Sequence, residues 1–343
     1  METAVVVREY GGPEQLVAVK IPAAKPGPGE IRIRQKAVGV NFHDVYVRSG
    51  LYRTLALPGI PGIEGAGEID SVGSGVTGFS VGDRVAYVSP QYGAYASSRI
   101  LPASQAVRLP DSMSFNLAAT TLLKGLTAEM LLFRARQVKK GDWVLIHAAA
   151  GGVGGLLCQW ASRLGAILIG TVGSEEKAAA ARQSGCSHII FYRNENVAER
   201  VMEITQSRGV DVVYDSVGKD TFDASLASLA VFGHLVNFGQ SSGAVAPFQI
   251  SRLAAKSNAV LRPILFHYIH ERSHLETMAA NLFDVFARGI VEAREGKPYP
   301  LELAGRAHAD LEARVSGPFI LTPAEAGGES APGRAFHPYS WRR

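Results

Sequence analysis

Cysteine is scarce in this sequence: Cys158 and Cys186 are the two among 343 residues. Neither a disulfide framework nor a four-cysteine zinc site can be built from them, and a reducing compartment suits such a chain. Long apolar runs are also missing, since none reaches the roughly 18 residues of a membrane span. The N-terminus, METAVVVREY, carries Glu2, Arg8 and Glu9 and lacks the apolar stretch of a signal peptide. An excess of one charge is absent too. The 35 basic and 31 acidic side chains leave a net +4, too dispersed to point to nucleic acid. Charged residues make up 19% and hydrophobic residues 47%, which excludes global disorder and provides for a buried core. The expectation is a cytoplasmic protein with no membrane or nucleic-acid partner and room for two domains.

Glycine, by contrast, is abundant, with 37 residues, and the chain has two textures around it. Up to about residue 125, short β-rich runs (VAVKIP, IRIRQKAVGV, GAGEIDSVGSGV, GDRVAYV) alternate with Gly/Pro turns. That pattern predicts a small, mostly antiparallel barrel. From about 140, strands and helices alternate. WVLIHA, AILIGTV, HIIFY, VDVVYDSV and GHLVNFG read as strands, with GGLLCQWASRL, SEEKAAAARQSG, NVAERVMEITQ and TFDASLASL as helices between them. Five strands with four intervening helices predict a parallel, doubly wound sheet. A helix over LETMAANLFDVFARG, a short helical stretch and a last strand, FILTP, follow. The tail 324–343 has no periodicity and reads as a flexible tail.

Two segments compete as a dinucleotide-binding loop. Gly73-Ser74-Gly75-Val76-Thr77-Gly78 matches GxGxxG literally, but another strand follows it, so it reads as a β-turn. Ala149-Ala150-Gly151-Gly152-Val153-Gly154 lacks the first glycine, yet it follows a strand and opens a helix. Context decides for the second, because a helix N-terminus presents its N–H groups to a pyrophosphate and glycine lets the backbone approach. An acidic residue about 20 positions further on would bind the ribose of NAD. The strand there ends in Gly173-Ser174, with Glu175 and Glu176 on the helix start, Lys177 next, and Tyr192-Arg193 after the following strand. Ser174, Lys177 and Tyr192 suit a 2′-phosphate, so NADPH is expected as the cofactor.

The runs NFHDVYVRSGLY (41–52), LKGLTAEMLL (123–132), HAAAGGVGG (147–155), CQWASRLGA (158–166), IGTVGS (169–174), VVYDSVG (212–218) and LVNFGQSSGAV (235–245) carry a resemblance. Over residues 1–323 the chain resembles the NADPH:quinone oxidoreductases, the zeta-crystallin-like branch of the medium-chain dehydrogenase/reductase superfamily. The resemblance implies an α/β chain with a GroES-like β-barrel domain over 1–125 and a Rossmann NADPH-binding domain over 126–265. It implies a return to the first domain over 266–323 and a homodimer. Asn41, Phe42 and Tyr46 would line the nicotinamide side, with Lys124 and Thr127 at the cleft near the domain junction. Gly151, Gly152 and Val153 would meet the pyrophosphate, and Gly173, Ser174, Lys177 and Tyr192 the adenosine phosphate. Ser216, Phe238, Gly239, Gln240 and Ser241 would line the cofactor, and Leu265 and Arg314 would close the far wall. His43 departs from the pattern, standing where the family usually has an apolar residue.

The superfamily's zinc-dependent members set a cysteine, a histidine and a further cysteine or acid at the cleft. Asn41, Ile63 and Lys124 stand at the matching positions, and amide, alkyl and ammonium groups make no zinc shell. Glu64 adds one carboxylate, so no metal is expected. His267, His270 and His274 follow helical spacing and read as a surface helix face. Cys158 reads as a core residue, and Asp44 as a structural hydrogen-bond partner. Tyr46 and Tyr52 are candidate catalytic residues, as proton donors or as an aromatic wall for a flat substrate. The leading expectation is reduction of a quinone by NADPH without metal. The alternatives are an NADPH-dependent reductase of enone or enoyl C=C bonds and a binding protein that reuses the fold, for example for RNA. A homodimer is expected to pair through GHLVNFG (233–239) as an exposed sheet edge.

Overall fold

The structure is a computed structural model that describes residues 1–315 and 317–324, so the predicted tail lies, apart from Ala324, outside the described residues. β1 (Glu2–Val7) and β2 (Leu16–Ile21) pair as an antiparallel hairpin. They are followed by β3 (Glu30–Val40), α1 (Phe42–Ser49), β4 (Glu64–Val72), β5 (Arg84–Val88), β6 (Ser98–Pro102), β7 (Ala106–Arg108) and α2 (Phe115–Glu129). The alternating half of the chain supplies β8 (Trp143–Ile146), α3 (Gly152–Arg163), β9 (Ile167–Val172), α4 (Glu175–Gln183) and β10 (His188–Phe191). It continues through α5 (Val197–Ile204), β11 (Val210–Asp215), α6 (Phe222–Ala227), β12 (Leu229–Asn237) and β13 (Ala259–Leu261). The chain then runs through α7 (Leu265–Tyr268), α8 (Arg272–Ala287), β14 (Lys297–Pro300), α9 (Ala304–Glu312) and β15 (Phe319–Thr322).

These elements form two compact units. One comprises residues 1–123 with the described residues from 293 on, and the other residues 124–292. In the first unit, seven strands take the order β14-β15-β3-β4-β5-β7, with β6 also on β3. All neighbours are antiparallel except β14–β15. The long strand β3 buries Ile31, Ile33, Val38 and Val40 in one core with Val85, Leu101, Phe319 and Leu321. Each such side chain contributes about 1.5–3 kcal/mol by leaving water. The return strand β15 belongs to this core because its Phe319–Leu321 register on β3 completes it.

The second unit has a parallel sheet in the order β10-β9-β8-β11-β12-β13, with β8, β9, β11 and β12 as inner strands. Val144, Leu145, Ile146, Val212, Val213 and Tyr214 are all fully buried, as expected where helices cover both faces. Four expectations change here. The sheet has six strands rather than five, because Ala259–Leu261 pairs with β12; a three-residue apolar run carries too little periodicity to be read. GHLVNFG therefore lies in an inner strand, and the edges are β10 and β13. Residues 266–292, including α8, join the second unit, where a methyl group on Gly125 of α2 would lie 2.4 Å from Leu282 of α8. The histidines do not share one helix face. His267 is on α7, His274 on α8, and His270 sits in the break, with its Nδ1 against the His267 carbonyl at 2.8 Å.

Candidate active site

In the second unit, β8 ends at Ile146 and the chain turns through 147–151 into α3, whose N-cap is Gly151. Gly151 and Gly152 are exposed and Gly154 is buried. The burial of Gly154 is a matter of space: a methyl group there would lie 2.2 Å from the Ala148 carbonyl oxygen. Ala148 itself has a positive φ of 51°, unusual for a residue with a Cβ. Its carbonyl accepts the Gly151 N–H at 2.8 Å. The first-turn N–H groups of α3 thus face outward at an exposed glycine pair, which is the arrangement an anion needs. Lys124 of α2 packs against this start, since a methyl group on Gly152 would lie 2.9 Å from its Cδ. Thr127 follows one turn later on α2.

β9 ends at Val172, and Ser174 caps α4 by accepting the Lys177 N–H at 3.4 Å. The carboxylates of Glu175 and Glu176 lie in the first turn of α4, where the helix dipole favours them. A cavity of about 400 Å³ opens here, lined by Gly173, Ser174, Glu175, Phe191, Asn194 and Glu195. Tyr192 borders it, since a methyl group on Gly173 would lie 2.9 Å from the Tyr192 hydroxyl oxygen. Glu195 is engaged elsewhere, accepting the Phe191 N–H at 2.6 Å and pairing with Arg200 at 2.8 Å. No carboxylate stands at the strand tip itself, although Glu175 and Glu195 line the cavity beside it. Asn194 and Glu195 escaped the sequence reading because only folding brings the turn after β10 to the tip of β9.

Beyond β11 and β12, Ser216 packs on Gly239, where a methyl group would lie 2.6 Å from the Ser216 carbonyl oxygen. That carbonyl also accepts the Ser241 N–H at 3.2 Å. Phe238 and Gln240 flank this contact and are half-buried, while Leu265 is buried at the start of α7. A polar chain behind these loops was missed in the sequence. His147, Thr171, Asp215 and Ser225 are buried and joined by hydrogen bonds of 2.9 to 3.1 Å. The available signal was a histidine and an aspartate at the ends of apolar strands, inside HAAAGGVGG and VVYDSVG.

In the first unit, α1 carries Asn41 at its N-cap and Phe42, His43 and Tyr46 in its first two turns. Asp44 accepts the Asn41 N–H at 2.9 Å and the Tyr95 hydroxyl at 3.2 Å, the structural role expected of it. Tyr46 meets Tyr52 edge to face at 5.1 Å, and Phe42 lies 6.2 Å from Tyr46. His43 sits between Tyr52 (5.7 Å) and Tyr92 (5.9 Å), with its Nε2 3.1 Å from the Tyr92 hydroxyl. Burial pushes the His43 imidazole down to about 4 and raises the Tyr92 phenol. Three tyrosines, a neutral imidazole and a phenylalanine thus make an aromatic cluster with polar edges, its rings tilted or edge to face apart from the stacked His43–Tyr92 pair. Arg314 is exposed in the turn after α9.

Comparison with known proteins bears on both units. Residues 152–283 match the family described as zinc-binding dehydrogenase, and residues 27–111 the alcohol dehydrogenase GroES-like domain. The chain is 47% identical to a quinone oxidoreductase of Pseudomonas aeruginosa over 316 residues, covering 92% of this chain and 97% of that one. It is 41% identical to a 2-haloacrylate reductase of a Burkholderia species, covering 94% and 99%. The crystal structure of Escherichia coli quinone oxidoreductase complexed with NADPH superposes with a TM-score of 0.91 at 45% identity, covering 94% of this chain and all of that one. The residues present do not suit the zinc in the first family description. Asn41 Nδ2 donates to Glu64 Oε2 at 2.9 Å, the other Glu64 oxygen takes the Leu123 N–H at 2.6 Å, and Ile63 offers only an alkyl group. A carboxylate already holding two N–H donors, beside an amide and an alkyl chain, does not fit zinc.

Proposed function

The chain belongs to the quinone oxidoreductase family of the medium-chain dehydrogenase/reductase superfamily, and from that premise we propose that it is an oxidoreductase carrying reducing equivalents from NADPH to a quinone without metal. The observation that carries the cofactor half is the exposed Gly151–Gly152 start of α3 with Lys124 packed on it, together with a β9 tip that bears Ser174 instead of a carboxylate. NADPH supplies the reducing equivalents; the chain supplies position. The N–H groups around Gly151, Gly152 and Val153 hold the pyrophosphate, with the Lys124 ammonium adding charge and Thr127 beside it. Ser174 can accept from the Lys177 N–H while its own hydroxyl donates to the 2′-phosphate. The Lys177 ammonium and the Tyr192 hydroxyl complete that grip, with Gly173 leaving room for it. Ser216, Phe238, Gly239, Gln240 and Ser241 line the cofactor.

A quinone is already a strong electron acceptor, so no Lewis acid is required. Tyr46 and Tyr52 offer ring edges and hydroxyls to a flat acceptor, and water can protonate the hydroquinone oxygens. The similarity to a 2-haloacrylate reductase favours a second reading, reduction of an activated C=C bond, in which Tyr46 or Tyr52 donates the proton at carbon. NADPH oxidation against a panel of benzoquinones and alkenals separates the two. Turnover confined to alkenals would replace the first reading by the second, and turnover of neither class would refute both.

We place the protein in the cytoplasm, where its two buried free thiols stay reduced. No helix among the described residues is long and apolar enough to cross a membrane. We assign a homodimer through the β13 edge, near which Phe232 is 72% and Ile250 80% exposed, because an open edge beside apolar side chains is commonly covered. A monomer mass by light scattering at micromolar concentration would count against it.

A further inference from the structure

Four buried polar side chains lie behind the loops assigned to the cofactor, and none of them is used by the chemistry above. His147 is 1% exposed, Thr171 1%, and Asp215 and Ser225 are fully buried. Thr171 Oγ1 lies 3.1 Å from His147 Nδ1, and Ser225 Oγ lies 2.9 Å from His147 Nε2. Ser225 Oγ is in turn 3.0 Å from Asp215 Oδ2. The direction of every hydrogen bond follows from one fixed end. As a carboxylate, Asp215 only accepts, and it takes the Val217 N–H at 2.8 Å, the Gly218 N–H at 3.0 Å and the Thr221 hydroxyl. The single Ser225 proton therefore points to Asp215, and Ser225 Oγ must accept from His147 Nε2–H. A neutral imidazole then has Nδ1 as an acceptor, so the Thr171 hydroxyl donates to it. Burial favours that neutral form against the pull of Asp215.

The two ends of this chain each hold a loop. At one end, Thr171 Oγ1 accepts the Ala148 N–H at 3.3 Å, and the Thr171 carbonyl accepts the Ala149 N–H at 3.1 Å. Ala148 is the residue with φ of 51°, and its carbonyl sets the position of Gly151 and packs against Gly154. At the other end, the Asp215 carbonyl accepts the Phe238 N–H at 2.9 Å, and its carboxylate orients Val217 and Gly218.

We propose that His147, in its neutral Nε2–H tautomer, is a positioning residue: it locks the loop 148–152 to the loops at 215–218 and 238–241 so that one cofactor is gripped by all three. The inference rests on the reading that these loops bind NADPH. His147 touches no reacting atom and acts through Thr171 on the strained Ala148 backbone and through Ser225 on Asp215.

The test uses the full-length protein and three measurements. Titration of the unaltered protein with NADPH first establishes binding; failure there overturns the cofactor reading and the inference with it. Nitrogen-15 NMR of histidine-labelled protein, with the His147 signal identified by its loss in His147→Gln, should show the Nε2–H tautomer. The Nδ1–H tautomer or an imidazolium at neutral pH overturns the inference while leaving the cofactor reading intact. His147→Phe should weaken NADPH and NADH by the same factor, about tenfold, because the loop serves the pyrophosphate common to both. His147→Gln, which restores a donor toward Ser225, should recover part of that loss, and the quinone KM at saturating NADPH should not move. If His147→Phe does not fold, Thr171→Val removes the one hydroxyl that holds Ala148 and should give a loss of the same kind. A folded His147→Phe or Thr171→Val protein with unaltered affinity for both cofactors would overturn the assignment.

Discussion

Two glycine-rich loops stand at different kinds of junction in this protein. Gly73–Gly78 connects the antiparallel strands β4 and β5, whereas Ala149–Gly154 leads the parallel strand β8 into α3. In the first, Gly75 and Gly78 have φ of 75° and 82°, and a methyl group on either would meet nothing within 4 Å. Those glycines answer a backbone demand, and no helix start lies behind them. In the second, the positive φ falls on Ala148, while Gly154 is there for space, and the exposed pair Gly151–Gly152 leaves a helix N-terminus open. Glycine spacing therefore reports what a turn needs, and the element that follows decides whether the turn can hold a phosphate.

The comparison can be broken most directly at Gly151. Its φ of −78° suits any residue, and a methyl group there would lie 3.0 Å from the Ala148 carbonyl oxygen, so Gly151→Val should fold with some loss of stability. The new side chain would occupy the space assigned to the pyrophosphate and raise the NADPH Kd at least about 100-fold. Fluorescence titration beside a thermal melt checks this, and unimpaired binding would remove the loop from the site. Gly73→Ala should show the opposite split. Its methyl group would lie 1.8 Å from the Gly27 carbonyl oxygen, which should cost about 1–3 kcal/mol of stability by overpacking. Cofactor affinity of the folded fraction should be unchanged, and a chemical denaturation series reads the difference.

Lys177→Ala sharpens the contrast by probing the far end of the cofactor grip. It should weaken NADPH by roughly tenfold while sparing NADH, the loss of one charged hydrogen bond; equal KM changes for both would dismiss the 2′-phosphate assignment. The smallest effect belongs to Gly75→Ala. The strained φ should cost about 1 kcal/mol, seen as a lower Tm with NADPH binding intact. Loss of binding in a well-folded Gly75→Ala protein would mean that the wrong loop was chosen.

Periodicity made much of the fold legible. The strands from WVLIHA to VDVVYDSV appear close to where the apolar runs predict them, because inner parallel strands are buried on both faces and read as unbroken Val/Ile/Leu segments. β13 did not, since three residues carry no period, and the edge of the sheet was misassigned with it. The histidines 267, 270 and 274 share helical spacing, but the break between α7 and α8 separates them; spacing along a chain says nothing about where a helix stops. Of the site, the glycine loop and the missing carboxylate after AILIGTV could be read, because both depend on neighbours in sequence.

The pairings across strands could not be read. His147 comes from the turn after β8 and Thr171, Asp215 and Ser225 from β9, β11 and α6, and nothing in their spacing along the chain joins them. The same holds for Asn194 and Glu195 beside Ser174, and for Tyr92 against His43. Local chemistry along the chain sets strands, caps and turns through interactions of a few residues' reach. Which polar side chain meets which across a buried sheet depends on strand order and register, and these are settled only when the whole core packs.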